Sequence, residues 1–185
     1  MGHAAPASAC RVGIYAALAS ISMLFVSLTL IFLTRLKITG GWAHTSLPPV
    51  LYVNTVLLAV SSVTLQRARS ALSSDSMHAF RGWLYTTLAL GFAFLGGQYS
   101  AWRKLAGAGV YLAANPSGAF FYIITAAHGL HLLGGIIALA YLVLKAREIR
   151  WGLKRRTVVD VTSIYWHFMG GLWLYVIGVL LVLRW

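Results

Sequence analysis

The sequence predicts an all-α polytopic membrane protein, a bundle of five transmembrane helices. Of its 185 residues, 59% are apolar and only 10% are charged, less than half the charged share of a typical soluble domain. The mean hydropathy is +0.78. Five segments are each about 20 or more predominantly apolar residues long, which is the length that a helix needs to cross a bilayer.

The five predicted spans are separated by short segments that carry most of the basic residues. They cover 12–34, 47–65, 83–102, 118–144 and 158–183. The first span is too long for the apolar part of a signal peptide, and no cleavage site of small residues follows it. None of the spans alternates in the way that a β-barrel strand does. We therefore expect an N-terminal tail, 1–11, and one transmembrane domain, 12–185.

The Lys and Arg residues predict the orientation of the chain. With the N-terminus inside, ten of them lie on the inner side and five on the outer side. Cytoplasmic loops of membrane proteins carry the excess of basic residues, so we expect a cytoplasmic N-terminus and a periplasmic C-terminus. The net charge of +12 is then mostly a topology signal. It does not indicate nucleic-acid binding, because the basic residues are separated by long apolar runs.

Acidic side chains are absent from the cores of the predicted spans. The chain has three acids, Asp75, Glu148 and Asp160. Proton pumps and many transporters hold carboxylates at membrane depth, so a small transporter is disfavoured, as is catalysis by paired carboxylates. The single Cys10 allows no disulfide within this chain and no thiolate cluster. We expect neither catalytic residues nor a metal site.

Three histidines lie within the predicted spans: His128 and His131 on the fourth, and His167 on the fifth. Membrane histidines can ligate haem or a metal. At 1.5 Å per residue, His167 lies about 6 Å or more nearer the inner side than the other two, whereas the two ligands of one haem lie at one level. We expect neutral histidines that hydrogen-bond to neighbouring groups. A b-type cytochrome that uses His128 or His131 with His167 is the alternative.

Polar residues follow one face of the second span. Asn54 and Ser61 are seven residues apart, and Thr55 and Ser62 repeat this spacing. Hydrogen bonds between helices explain such a face, because lipid provides no hydrophobic force that drives helices together. A substrate path is the alternative. The same packing interpretation applies to Gln98 on the third span.

Six of the seven tryptophans form a set that mostly flanks the spans. These are Trp42, Trp83, Trp102, Trp151, Trp173 and Trp185. Tryptophan is enriched at both membrane–water interfaces, where its amphipathic ring lies at headgroup level. We therefore expect these six residues to form the interfacial belt.

Four short motifs, taken together, resemble one family. The fourth span contains HGLH at 128–131, the fifth contains YWHF at 165–168, the second contains NT at 54–55, and the third contains GGQ at 96–98. This succession resembles subunit III of the haem–copper terminal oxidases in its five-helix bacterial form. The resemblance extends over about 12–183.

The resemblance implies an accessory subunit of a bacterial respiratory oxidase in the cytoplasmic membrane. Such a subunit packs on the catalytic subunit I and other subunits, and supports aerobic electron transport and dioxygen reduction, with cytochrome c or quinol as donor. Haem and copper then belong to partner subunits, this chain has no cofactor of its own, and phospholipid binds between its helices. The accessory protein of nitric oxide reductases shares the fold and is an alternative.

The resemblance also implies roles for individual residues. It implies structural polar roles for the motif residues, which are Asn54, Gln98, His128, His131, Trp166 and His167. For anionic lipid headgroups we predict the inner-side residues Arg81 and Arg150. The family often has acids where this chain has Ile21, Ala101 and Gly170. Any support of proton uptake by this chain is therefore expected to be indirect.

Overall fold

Five helices account for the secondary structure of the described part of the chain. The computed structural model describes residues 7–39, 47–111, 116–146 and 154–182. The helices are α1 (Ala7–Thr39), α2 (Val50–Ser73), α3 (Met77–Gly107), α4 (Pro116–Lys145) and α5 (Lys154–Val182). The predicted all-α bundle is confirmed, and each predicted span overlaps one helix. Helix α1 begins at Ala7, within the predicted tail, in an alanine-rich stretch that favours helix.

Four of the helices are long and apolar enough to cross a membrane by length and composition alone. They are α1, α2, α4 and α5. The third predicted span lies in α3. This helix is 31 residues long, but its mean hydropathy is too low for it to be counted among the four. Its glycines and the polar Gln98 dilute its apolar content. Helix α3 lies beside α2, and these two helices make the most extensive contact between elements in the part of the chain that the structure describes.

Helices α2 and α3 form an antiparallel hairpin. At its middle, the hydroxyl groups of Thr64 and Thr87 are 2.8 Å apart and hydrogen-bond to each other. In the turn, Asp75 has a left-handed backbone, φ 56°, a conformation that Asp adopts more readily than most residues. The Ser76 N–H donates to the Ala71 carbonyl at 2.9 Å. The turn thus satisfies a free carbonyl at the end of α2.

Helices α4 and α5 pack on this hairpin, and α1 packs on α4 and α5 from the other side. The Phe32 ring of α1 stacks on Phe120 of α4 at 3.7 Å between centroids. The Tyr175 hydroxyl of α5 donates to Thr29 of α1 at 2.9 Å. Within the described ranges, α1 makes no comparable contact with α2 or α3. The centre of the bundle therefore lies between the α2–α3 hairpin and the α4–α5 pair.

Candidate functional site

Three buried polar side chains lie near one level of the bundle interior, each on a different helix. They are Asn54 of α2, Gln98 of α3 and His128 of α4. The Asn54 carboxamide occupies the place where a Cβ on Gly97 would stand. Phe94, one turn from Gln98, contacts the His128 ring. The nitrogen and oxygen atoms of these three side chains have no hydrogen-bond partner among the described residues.

His128 is enclosed by aromatic rings. Its ring centroid is 5.7 Å from that of Phe94 and 5.0 Å from that of Trp173. The Phe94 and Trp173 rings also meet edge to face, 4.9 Å apart. The His128 side chain is fully buried within this group. Its surroundings are those of a core histidine.

The polar face of α2 binds the indole groups of α5. The Nε1–H of Trp166 donates to Ser61 Oγ at 3.0 Å, and the Nε1–H of Trp173 donates to Thr55 Oγ1 at 3.0 Å. This arrangement supports the packing interpretation over a substrate path for Ser61 and Thr55, whereas the side chains of Asn54 and Gln98 make no such bond with a described residue. Buried Trp N–H groups need such partners.

The prediction that Trp173 belongs to the interfacial belt is wrong, because its side chain is fully buried. It lies seven residues after Trp166 and therefore on the same inward face of α5. This spacing is the signal in the sequence that could have revealed it. Trp102 is half-buried and donates to Thr125 at 3.0 Å, while Trp83 is exposed. The other three belt residues, Trp42, Trp151 and Trp185, lie outside the described residues.

His131 faces α1. Its Nδ1 lies 2.7 Å from the Ala127 carbonyl oxygen, and its ring meets Phe25 edge to face at 5.9 Å. The Tyr165 hydroxyl of α5 donates to the His131 backbone carbonyl at 2.7 Å. The predicted hydrogen bonding to a neighbouring group is thus seen for His131, whereas the same prediction is wrong for His128, whose ring nitrogens have no partner among the described residues. The sequence did not indicate that Tyr165 reaches across to α4.

His167 lies on the membrane-facing side of α5, next to α2. The three histidines therefore point in three directions: His128 toward α3, His131 toward α1, and His167 outward. The structure does not bring together the pair that a b-type cytochrome would use. In the described ranges, no group of three or more His, Cys, Asp or Glu side chains is placed to hold a metal ion.

One end of the bundle is held together by arginines. Arg69 of α2 and Asp160 of α5 form an ion pair at 2.7 Å. Arg81 of α3 is half-buried, and its Nε donates to the Ala146 carbonyl at the end of α4 at 2.8 Å. Arg81, predicted to bind lipid, caps the end of α4 in the structure. The other predicted lipid ligand, Arg150, lies outside the described residues.

A family model described as cytochrome c oxidase subunit III matches residues 8–185, which is nearly the whole chain. The chain belongs to the cytochrome c oxidase subunit III family. The predicted identity, an accessory subunit III of a haem–copper oxidase, is confirmed. Membership of this family makes the chain an integral multi-pass membrane protein and part of a multi-subunit complex.

Individual relatives agree with this assignment. A probable cytochrome c oxidase subunit 3 of Nocardia farcinica is 32% identical over 162 residues, 85% of this chain and 79% of the relative. The cytochrome c oxidase subunit 3 of Thermostichus vulcanus is 31% identical over 71% of this chain and 64% of its own length. A probable cytochrome c oxidase subunit 3 of Mycobacterium leprae is 29% identical over 94% of this chain and 87% of the relative.

Proposed function

We propose that this subunit III packs on the catalytic subunit I of a bacterial oxidase, holds no redox centre, and supports aerobic electron transport and dioxygen reduction. The divergence of the three histidines is the observation that carries this proposal. A haem held by two histidines needs both rings to face it from opposite sides, whereas His128 and His131 face different helices and His167 faces outward. Haem and copper are then held by partner subunits.

We also propose an orientation in the bacterial cytoplasmic membrane, with the N-terminus in the cytoplasm. The contacts of Arg69 with Asp160 and of Arg81 with Ala146 bring the α2–α3 turn and the α4–α5 ends to the same side. That side carries the larger share of the basic residues, which supports a cytoplasmic location. Arg81 keeps guanidinium N–H groups beyond the one given to Ala146, and anionic lipid headgroups fit them.

The proposed function predicts the composition of the complex. Purified through a tag on this chain in mild detergent, the complex is expected to contain a large haem-bearing subunit with copper. The variants His128→Gln, His131→Gln and His167→Gln are expected to leave its haem content per complex unchanged. Absorbance spectra measure the haem content of the complex, and metal analysis measures its copper. A Soret band that stays with this chain when it is separated, and that is lost in His131→Ala, would contradict the proposal. Recovery of a nitric oxide reductase would favour the alternative.

The orientation predicts the labelling of engineered cysteines. In a Cys10→Ser background, Gly152→Cys places a thiol in the basic segment between α4 and α5, and Ala108→Cys places one after α3, on the opposite side. In intact cells, an impermeant maleimide is expected to label the Ala108→Cys protein and to spare the Gly152→Cys protein until the membrane is opened. The reverse pattern would show the inverted topology.

A further inference from the structure

A crevice runs along the membrane-facing surface where α2 and α5 meet. It has a volume of about 160 Å³, and its lining includes Ala59 and Ser62 of α2 and His167, Gly170 and Gly171 of α5. We call this cavity the seam crevice and define it by these five residues. Toward the basic end of the bundle, the same seam leads to the Arg69–Asp160 ion pair.

His167 is the unusual residue of the seam crevice. It is exposed, and in the part of the chain that the structure describes it makes no hydrogen bond. The apolar span of α5 is Arg156–Val182, so His167 lies about 16 Å from one end and about 22 Å from the other. An imidazole at this depth has a donor and an acceptor that lipid chains cannot satisfy, and such residues normally face protein.

Three small hydroxyl side chains that are exposed at membrane depth are satisfied within their own helices. Ser20, Thr86 and Ser100 each donate to the backbone carbonyl four residues earlier on their own helix, at 3.0 to 3.1 Å. A histidine in a helix has no equivalent bond for both ring nitrogens. The surface around His167 therefore presents a polar group that an external partner would satisfy.

The seam crevice also permits the close approach of another helix. A Cβ added at Gly171 would have no atom within 4 Å, and one added at Gly170 would stand 3.4 Å from Ser62 Oγ. Small residues let helix backbones approach in a membrane, where association depends on van der Waals packing and hydrogen bonds. Ala59 is exposed on the α2 side. These residues leave room for the side chains of a partner helix.

The charge at the end of the seam indicates which partner fits. A cavity of about 310 Å³ there is lined by Arg69, Arg156 and Asp160, among others. Arg69 pairs with Asp160, whereas Arg156 is exposed and forms no ion pair with a described residue. The mouth of the seam thus has an excess of one positive charge. A lipid phosphate would satisfy Arg156, but its acyl chains would leave His167 without a hydrogen bond.

We propose that the α2–α5 seam docks a transmembrane helix of another subunit of the oxidase. That helix carries a hydroxyl, amide or carboxyl side chain opposite His167 and an acidic side chain opposite Arg156. The proposal rests on the proposed function, because it requires a multi-subunit complex. It adds the face of the bundle by which this chain is held.

Two glycines provide a matched test. Gly171→Leu fills the seam crevice, and Gly129→Leu adds the same side chain between α3 and α4; a Cβ at either position meets no atom within 4 Å. Gly171→Leu is expected to lower the amount of partner subunits recovered with the tagged chain about tenfold, which corresponds to the loss of 1.4 kcal/mol. Gly129→Leu is expected to leave it unchanged. Quantitative mass spectrometry measures recovery relative to the amount of this chain in the membrane.

Substitutions of His167 test the hydrogen bond. His167→Leu is expected to reduce recovery about threefold, the effect of an average interhelical hydrogen bond in a membrane protein, and His167→Gln is expected to restore most of it. Full recovery in both Gly171→Leu and His167→Leu would overturn the docking proposal. If the wild-type complex contains no haem-bearing subunit, it is the proposed function that fails.

Crosslinking identifies the occupant without altering the stability of the contact. A photo-reactive amino acid at Ala59, in the seam crevice, is expected to crosslink to another subunit of the purified complex. The same group at Leu130 of α4, which is 70% exposed, is expected not to. Adducts at Ala59 with lipid alone, or with a second copy of this chain, would overturn the proposal, as would a subunit crosslink from Leu130 only.

Discussion

Replacing Trp166 by alanine is expected to destabilise the bundle by about 3–5 kcal/mol, the usual cost of deleting a large aromatic side chain from a core. The indole of Trp166, on α5, contacts three other helices, α2, α3 and α4. Its ring atoms lie 2.9 Å and 3.1 Å from where Cβ atoms of Gly91 and Gly135 would stand, and its N–H donates to Ser61. Alanine would leave a cavity at the meeting point of α2, α3, α4 and α5, and would remove that hydrogen bond.

The measurement is an SDS titration of the detergent-solubilised complex, followed by limited proteolysis of this chain. Trp166→Phe keeps part of the ring volume but loses the N–H, so its midpoint is expected between those of wild type and Trp166→Ala. Trp83→Ala, on an exposed tryptophan, serves as the control and is expected to shift the midpoint little. Equal shifts in Trp166→Ala and Trp83→Ala would show that the described packing does not stabilise the bundle.

Valine at Gly97 is expected to destabilise the chain by about 1–3 kcal/mol more than valine at Gly96, the usual penalty for overpacking a core. The two glycines are neighbours on α3 and therefore share the helix-propensity effect of a β-branched residue. A Cβ at Gly97 would collide with the Asn54 carboxamide, whereas one at Gly96 would meet no atom within 4 Å. The difference between the two variants isolates the contact between α2 and α3.

The same SDS titration measures this difference, and a double-mutant cycle identifies its cause. Asn54→Ala removes the carboxamide that blocks the Cβ, so Asn54→Ala combined with Gly97→Ala is expected to be less destabilised than the sum of the single variants. Pairs of residues in contact show such coupling, and distant pairs do not. An additive result, or equal effects of valine at Gly96 and Gly97, would contradict the described α2–α3 packing.

The fold could be predicted from the sequence because a bilayer leaves few choices. A segment of about 20 apolar residues in lipid must satisfy its backbone groups internally, so it forms a helix. Helix number and approximate position followed from this rule. Helix ends did not, because helices continue past the hydrocarbon boundary: α3 runs from Met77 to Gly107, about five residues beyond the predicted span at each end. Such extensions depend on local packing and propensity.

The candidate site could be predicted only in part. The motifs identified the residues, including Asn54, Gln98, Trp166 and the three histidines, but not which of them meet. Trp173 was assigned to the interface together with the other tryptophans, although it lies ten residues inside the predicted span and its spacing from Trp166 places both on the inner face of α5. Burial in a bundle is decided by the direction in which each face points, and a tryptophan is compatible with either environment.

The sequence by itself determined that this chain is an all-helical membrane protein and, through its motifs, indicated its family. Those properties follow from composition and from short stretches of sequence, and they do not depend on which helices contact each other. Only the tertiary structure decided that His128 lies between Phe94 and Trp173, that His131 turns toward Phe25, and that His167 faces outward from the α2–α5 seam. The physical reason is that side-chain packing between helices decides how each helix is rotated about its axis and which helices it contacts. Hydropathy carries little information about this packing.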